Sequence, residues 1–179
     1  MGKYFDEMQR AMTWLGEKED TFFLGQSVAE KGTAMFNTLT DVPMEKRLEL
    51  PVFEETQMGM SIGMALNGTV PISIYPRWNF LLLATNQVVN HLDKIKQYSH
   101  GEFAPKVIIR TGAGSERPLH PQAQHVGNFS EAFRSMCTNI EVIECFEPED
   151  IFPAYEKAYN RTDGKSTIVV EISDFYGEK

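Results

Sequence analysis

The sequence predicts an α/β domain of three layers, α/β/α, built on a mostly parallel six-stranded sheet. Segments of strand character alternate with segments of helical character along the whole chain. Most strand segments are continuous apolar runs, as in strands buried on both faces beneath helices. The length, 179 residues, suits one domain with a sizeable core. No internal repeat, low-complexity stretch or linker interrupts it, so a single domain over 1–179 is expected.

The elements follow in order. Tyr4, Phe5, Met8, Met12 and Leu15 recur at helical spacing, so a helix is expected over 4–16. Thr21 to Gly25 reads as a buried strand ending at a glycine. A short helix or loop spans Gly32 to Leu39, broken by Asp41-Val42-Pro43. Arg47 to Pro51 is the next strand, followed by a helix over Glu55–Leu66 that stops at Asn67-Gly68, a usual left-handed end. Gly59 and Gly63 weaken that helix by roughly 1 kcal/mol each, and close approach of another backbone is the expected reason. Val70 to Tyr75 is the third strand, and a single long helix is expected from Trp78 to Tyr98. Pro105 to Arg110 is the fourth strand, and a turn-rich loop from Gly112 to Gly127 follows. Ser130 to Met136 is helical, with Asn128 as cap. Ile140 to Cys145, a helix over Pro148–Tyr159 with Pro148 in its first turn, and Thr167 to Ile172 complete the pattern.

Composition narrows function. The net charge is −8, and no basic stripe offsets it, which argues against nucleic acid as a partner. No apolar run approaches the ~20 residues needed to span a bilayer. Residues 1–20 are amphipathic and mixed in charge, unlike a signal peptide, so a cytoplasmic location with reduced Cys137 and Cys145 is expected. The sequons at Asn67, Asn128 and Asn160 are then chance occurrences.

Several motifs are absent. Gly112-Ala113-Gly114-Ser115-Glu116-Arg117 lacks the last glycine of a dinucleotide fingerprint. There is no phosphate-binding loop of the Walker type and no nucleophile elbow. His91, His100, His120 and His125 lack zinc-like spacing with carboxylates or thiols, so no metal site is expected in this chain. What remains is Glu54, at a strand-to-helix junction beside Glu55, and the loop carrying His120 and His125. Both follow parallel strands at the edge where open α/β sheets place ligands. Each residue taken alone is equally consistent with an ordinary surface position.

Their order along the chain adds more. Pro51-Val52-Phe53-Glu54, then Gly59, Gly63, Ala65 and Gly68, then Pro71, Phe80, Asn86-Gln87, Ile109-Arg110 and Gln124-His125 resemble one family. It is the beta subunit of the thiamine diphosphate-dependent 2-oxo acid dehydrogenases, whose pyrimidine-binding domain transketolases share. Upstream, Phe23-Leu24-Gly25-Gln26-Ser27-Val28-Ala29 is similar to that family's Leu-Gly-Glu-Asp-Val segment. The resemblance runs from about Tyr4 to Tyr176.

The resemblance implies the thiamine diphosphate-binding fold, pyrimidine type, and specific roles. Glu54 would hydrogen-bond the ring nitrogen N1′ of the cofactor aminopyrimidine and promote the imino tautomer that deprotonates the thiazolium. Aspartate would be a methylene too short. Phe80 would stack on the pyrimidine, Gly25 and Gln26 would lie beside the cofactor, and His125 would face the substrate. Three departures bear on substrate class. The serine expected before the glutamate is Phe53 and the glycine two after it is Thr56; the Ser-Gln expected after the histidine is Val126-Gly127.

In such enzymes a different domain, bearing a Gly-Asp-Gly…Asn motif, holds the diphosphate and its magnesium. Thr162-Asp163-Gly164 is only superficially like it. The resemblance therefore implies no diphosphate-binding domain and no C-terminal transketolase domain here. It implies instead an alpha-type partner subunit that carries Mg2+, in a homodimer or heterotetramer acting on a small-molecule substrate. Two alternatives stay open: a non-catalytic binding or assembly subunit of the same fold, and an unrelated flavodoxin-like binding protein.

Overall fold

The computed structural model describes residues 2–114 and 122–177. Six strands, β1 (Thr21–Gly25), β2 (Arg47–Glu49), β3 (Val70–Tyr75), β4 (Ile108–Ala113), β5 (Ile140–Cys145) and β6 (Ser166–Ile172), form one sheet. The spatial order is β2-β1-β3-β4-β6-β5, and every neighbouring pair is parallel. All strand C-termini therefore lie on one edge.

Alternation within the strands divides the core in two. Ile72, Ile74, Ile108 and Val169 point to one face, where they pack with Tyr4, Met8, Met12 and Leu15 of α1 (Lys3–Gly16). The short α2 (Ala34–Asn37) adds Met35 to that layer. Tyr75, Ile109, Ile168 and Val170 point to the other. Met58 and Ile62 of α3 (Glu54–Leu66), Trp78 and Leu81 of α4 (Trp78–Leu81), and Phe133 of α6 (Ser130–Met136) cover them. α5 (Ile95–Tyr98) contributes the partly buried Ile95 to this second layer. The helix α7 (Pro148–Asn160) lies beside α1 on the first face, where Trp14 meets Phe152 and Tyr159 with ring centroids 5.3 and 5.4 Å away. Pro148 opens α7, and Asp150 accepts the Glu147 N–H at 2.9 Å, the reach-back of a capping box.

Three expectations need correction; a fourth, the close approach of another backbone at Gly59 and Gly63, is not met within this chain. The segment 78–98 is not one helix: α4 passes into a 3-10 turn (Leu82–Ala84), then a π-helical stretch (Gln87–Leu92), then α5. The buried side chains Trp78, Leu81 and Ala84 sit three apart, which suits the tighter turn. Strand β4 begins at Ile108, later than Pro105. Proline has no N–H for the ladder, and the Val107 N–H goes to Ser166 Oγ at 3.0 Å. The strand instead runs on to Ala113, paired with Ile172. Gly59 and Gly63 meet no backbone of this chain: a Cβ on either would find nothing within 4 Å. The residue flanking α6 is Phe129, but Asn128 Oδ1 still accepts the Ser130 N–H at 3.0 Å. Gly68 does take the left-handed conformation, φ +89°. Cys137 and Cys145 are free and buried, and burial pushes both thiols up to about 12.

Candidate active site

The chain after β2 bends at Pro51 and enters α3 with Glu54 as its first residue. An acid there complements the positive helix end. Glu54 is only 3% exposed, whereas the flanking Val52 and Phe53 are 63% and 65% exposed. The carboxylate contributes to a pocket of about 420 Å3 lined by Val52, Phe53, Glu54, Glu55, Thr56 and Leu83.

Three interactions fix it. Gln26 Nε2 donates to Glu54 Oε1 at 3.1 Å. The Tyr75 hydroxyl donates to the Glu54 carbonyl at 3.2 Å. Burial, with the Glu54 charge adding to it, pushes that phenol above its ordinary range, so it stays a donor. One turn on, Gln57 Nε2 donates to Ser73 Oγ at 3.1 Å and to the Ile74 carbonyl at 2.9 Å, tying α3 to β3. Gly25 is required by this packing. Its φ is +141°, and a Cβ there would fall 2.1 Å from the Ile74 oxygen and 2.8 Å from Gln57 Nε2.

Phe80 and His125 form a second unit on the same edge. Phe80 lies in α4, after β3; His125 ends the 3-10 turn Ala123–His125. Their rings stack with centroids 5.3 Å apart, and Arg77 Nη1 donates to the His125 carbonyl at 3.4 Å. His125 Nδ1 is shielded from solvent without a hydrogen-bond partner among the described residues. The expected residues thus come together as two pairs, Glu54 with Gln26 and Phe80 with His125, while Gly25 supports the first. His120 lies outside the described residues. Arg110, expected at a strand end, is fully buried inside β4, where it pairs with Glu171 at 3.0 Å.

Sequence reasoning missed Glu49, Gln57 and Leu83. Leu83 reads as core from its apolar character, yet it is 58% exposed and lines the pocket. Glu49 carries no motif; its only signal is an acid at a strand end facing a loop without regular structure.

The pocket's chemistry suits one end of the implied cofactor. A buried carboxylate, Glu54, beside the apolar Val52, Phe53 and Leu83 fits an aromatic ring nitrogen, and the family profile described as transketolase, pyrimidine binding domain, matches residues 4–176. The chain belongs to this family. It is similar to the pyruvate dehydrogenase E1 component subunit beta of Cyanidium caldarium, 28% identical over 135 residues, which span 73% of this chain and 40% of that one. The same subunit of Gracilaria tenuistipitata var. liui is 30% identical over 131 residues, 71% of this chain and 39% of the relative. The chain thus spans about two fifths of the length of these relatives. Among solved structures, a split-gene transketolase described as an inactive beta4 tetramer superposes with a TM-score of 0.70 at 16% identity. It is matched over 93% of this chain and 50% of its own. The transketolase of Campylobacter jejuni gives 0.73 at 14% identity, over 93% of this chain and 25% of its own. These likenesses establish the fold.

Among the described residues no three His, Cys, Asp or Glu side chains are grouped to hold a metal ion. No helix among them is long and apolar enough to cross a membrane.

Proposed function

We propose that this chain is the pyrimidine-domain subunit of a split thiamine diphosphate-dependent enzyme of the 2-oxo acid dehydrogenase or transketolase type. A separate alpha-type subunit binds the diphosphate and its magnesium, and the active enzyme is a homodimer or heterotetramer in the cytoplasm. The observation that carries this reading is the buried Glu54 carboxylate, held by Gln26 at 3.1 Å, in a pocket whose lining also includes Val52, Phe53, Glu55, Thr56 and Leu83.

Bound at that pocket, thiamine diphosphate would supply a nucleophilic carbon and an electron sink for cleavage beside a carbonyl. The chain's own part is proton management. Glu54 holds or gives a proton at the ring nitrogen, positioned for general acid–base work. Gln26 fixes the rotation of its carboxylate. Val52, Phe53 and Leu83, exposed in this chain, supply an apolar wall against which the cofactor ring can rest. Phe80 offers a ring to stack on the pyrimidine, and His125, which stacks on Phe80, faces the substrate, a 2-oxo acid or ketose. Among the described residues the pocket lining carries no cationic side chain; the diphosphate is assigned to the partner on the family resemblance.

Calorimetric titration of thiamine diphosphate with magnesium tests the reading, first on the chain alone and then with the diphosphate-binding subunit. Binding that needs the partner is expected; tight binding to the isolated chain overturns the split-site assignment. Glu54→Gln should abolish cofactor-dependent turnover and leave the far-ultraviolet circular dichroism unchanged. The exposed Phe53 ring in the pocket wall favours one other reading, a subunit that assembles without catalysis. Near-wild-type assembly turnover in Glu54→Gln would select it.

A further inference from the structure

We propose that Glu49 is a positioning residue for the Glu54 site, acting through Gln26. Its functional meaning rests on the cofactor reading above; its physical content rests on the loop after β1.

That loop, residues 26–33, has no helix or strand, so its backbone N–H groups need partners elsewhere. Glu49 ends the neighbouring edge strand, in register with Gly25, and its carboxylate supplies them. Oε1 accepts the Ser27 N–H at 2.7 Å. Oε2 accepts those of Val28 and Ala29 at 2.7 Å each and of Glu30 at 3.2 Å. Four successive donors converge on one side chain because Ser27 takes a left-handed φ of +60°, the turn that makes an anion-holding backbone nest. Bonds of this kind, to an ionised acceptor, are about twice as strong as neutral ones.

Gln26 sits between two fixed points. Before it, the Gly25 carbonyl accepts the Leu50 N–H at 2.8 Å. After it, Ser27 is held by Glu49. The side chain projected from this clamped backbone reaches Glu54 Oε1 at 3.1 Å. It is the only side chain that hydrogen-bonds the Glu54 carboxylate among the described residues. Glu49 itself touches neither the pocket nor Glu54. One carboxylate therefore orients another through Ser27 and Gln26, and does so without charge on the intervening amide.

Nuclear magnetic resonance of the 15N-labelled chain, without cofactor, tests this. In Glu49→Gln the amides of 27–30 should exchange about tenfold faster or more, the loss of one charge-assisted hydrogen bond. The Gln26 side-chain amide resonances should move to free-amide positions while those of Gln57 stay. Glu49→Asp, which keeps the charge one methylene short, should fall between and covers the case in which Glu49→Gln does not fold. Gln26→Ala should leave the loop amides protected, since the dependence runs from Glu49 to Gln26. Unchanged Gln26 resonances in both Glu49 variants would overturn the proposal and leave Glu49 a loop staple. In the reconstituted enzyme, Glu49→Gln and Gln26→Ala should lower turnover non-additively, the double variant no slower than Gln26→Ala alone. Additive losses would overturn it too. Loss of cofactor binding by the wild type would instead sink the cofactor reading and leave the resonance experiment standing.

Discussion

The imidazole of His125 lies stacked on the ring of Phe80, with centroids 5.3 Å apart and planes 26° apart. The two residues come from different strand-to-helix connections, so the stack ties the end of β3 to the end of β4. Phe80→Ala should free the imidazole, moving the His125 ring-proton resonances toward free-histidine positions. The melting transition should lose about 1 kcal/mol, the worth of an aromatic pair. On the cofactor reading, thiamine diphosphate should also bind the partner assembly more weakly, by the 1–3 kcal/mol or so of base–aromatic stacking. An unmoved His125 spectrum would show that the stack does not hold the imidazole.

Arg110 and Glu171 make a second cross-strand tie, fully buried between β4 and β6. Arg110 Nη2 also donates to the Tyr176 hydroxyl at 3.1 Å, pinning the turn Ser173–Gly177 over the strands. Glu171→Leu leaves a buried guanidinium uncompensated and should cost about 3–5 kcal/mol in urea unfolding. Arg110→Leu combined with Glu171→Leu should recover much of that loss, because neither charge is then stranded. Tyr176→Phe should cost only about 1 kcal/mol. A double variant as unstable as Glu171→Leu would mean that the pair does more than balance itself.

Strands were legible where a continuous apolar run marks burial on both faces, as at Val70–Tyr75; the edge strand Ile140–Cys145, which carries Glu141 and Glu144, was also found with its expected bounds. Glu54 was legible through collinear motifs alone, since an acid at a strand end has no signature of its own. The breaks within 78–98 were not. The π-helical stretch ends at a long-range tie: Asp93 accepts the N–H of Thr138, 45 positions on, at 2.8 Å, and its own N–H goes to the Val88 carbonyl, five residues back. Local periodicity carries no trace of such a tie. Glu49 was hidden for the same reason, because its partners are backbone N–H groups, which every sequence possesses.

Gly59 and Gly63 distinguish the chain alone from the assembly. Neither glycine has a left-handed φ, and each faces open space. Gly59→Ala and Gly63→Ala should therefore stabilise the isolated chain, by roughly 0.5–1 kcal/mol each, through helix propensity. If the alpha-type subunit docks on this face of α3, the same methyl groups should weaken assembly. Thermal melts of the chain and a pull-down titration with the partner measure the two signs. Stabilisation without any loss of assembly would place the docking face elsewhere.

Asp93 is one carboxylate through which acid should destabilise the chain. Desolvation of this buried carboxylate works against ionisation, but hydrogen bonds from the Lys94 ammonium and from the Asn139 and Thr138 N–H groups outweigh it. Its pKa in the folded chain is held below the ordinary aspartate value. In the interval between the two values the unfolded chain binds more protons, so stability rises with pH there. The contribution is thus complete above about pH 4, the ordinary aspartate value, and is lost as pH falls through the lower folded value. Asp93→Asn removes the titrating group, so its unfolding free energy should fall less steeply than that of the wild type below that pH. It should cost about 2 kcal/mol at neutral pH, where the charge-assisted bonds are replaced by weaker ones. Urea unfolding at pH 7, 5, 4 and 3 would give both slopes. Parallel acid limbs would mean that protonation elsewhere, not at the Asp93 joint, governs acid unfolding.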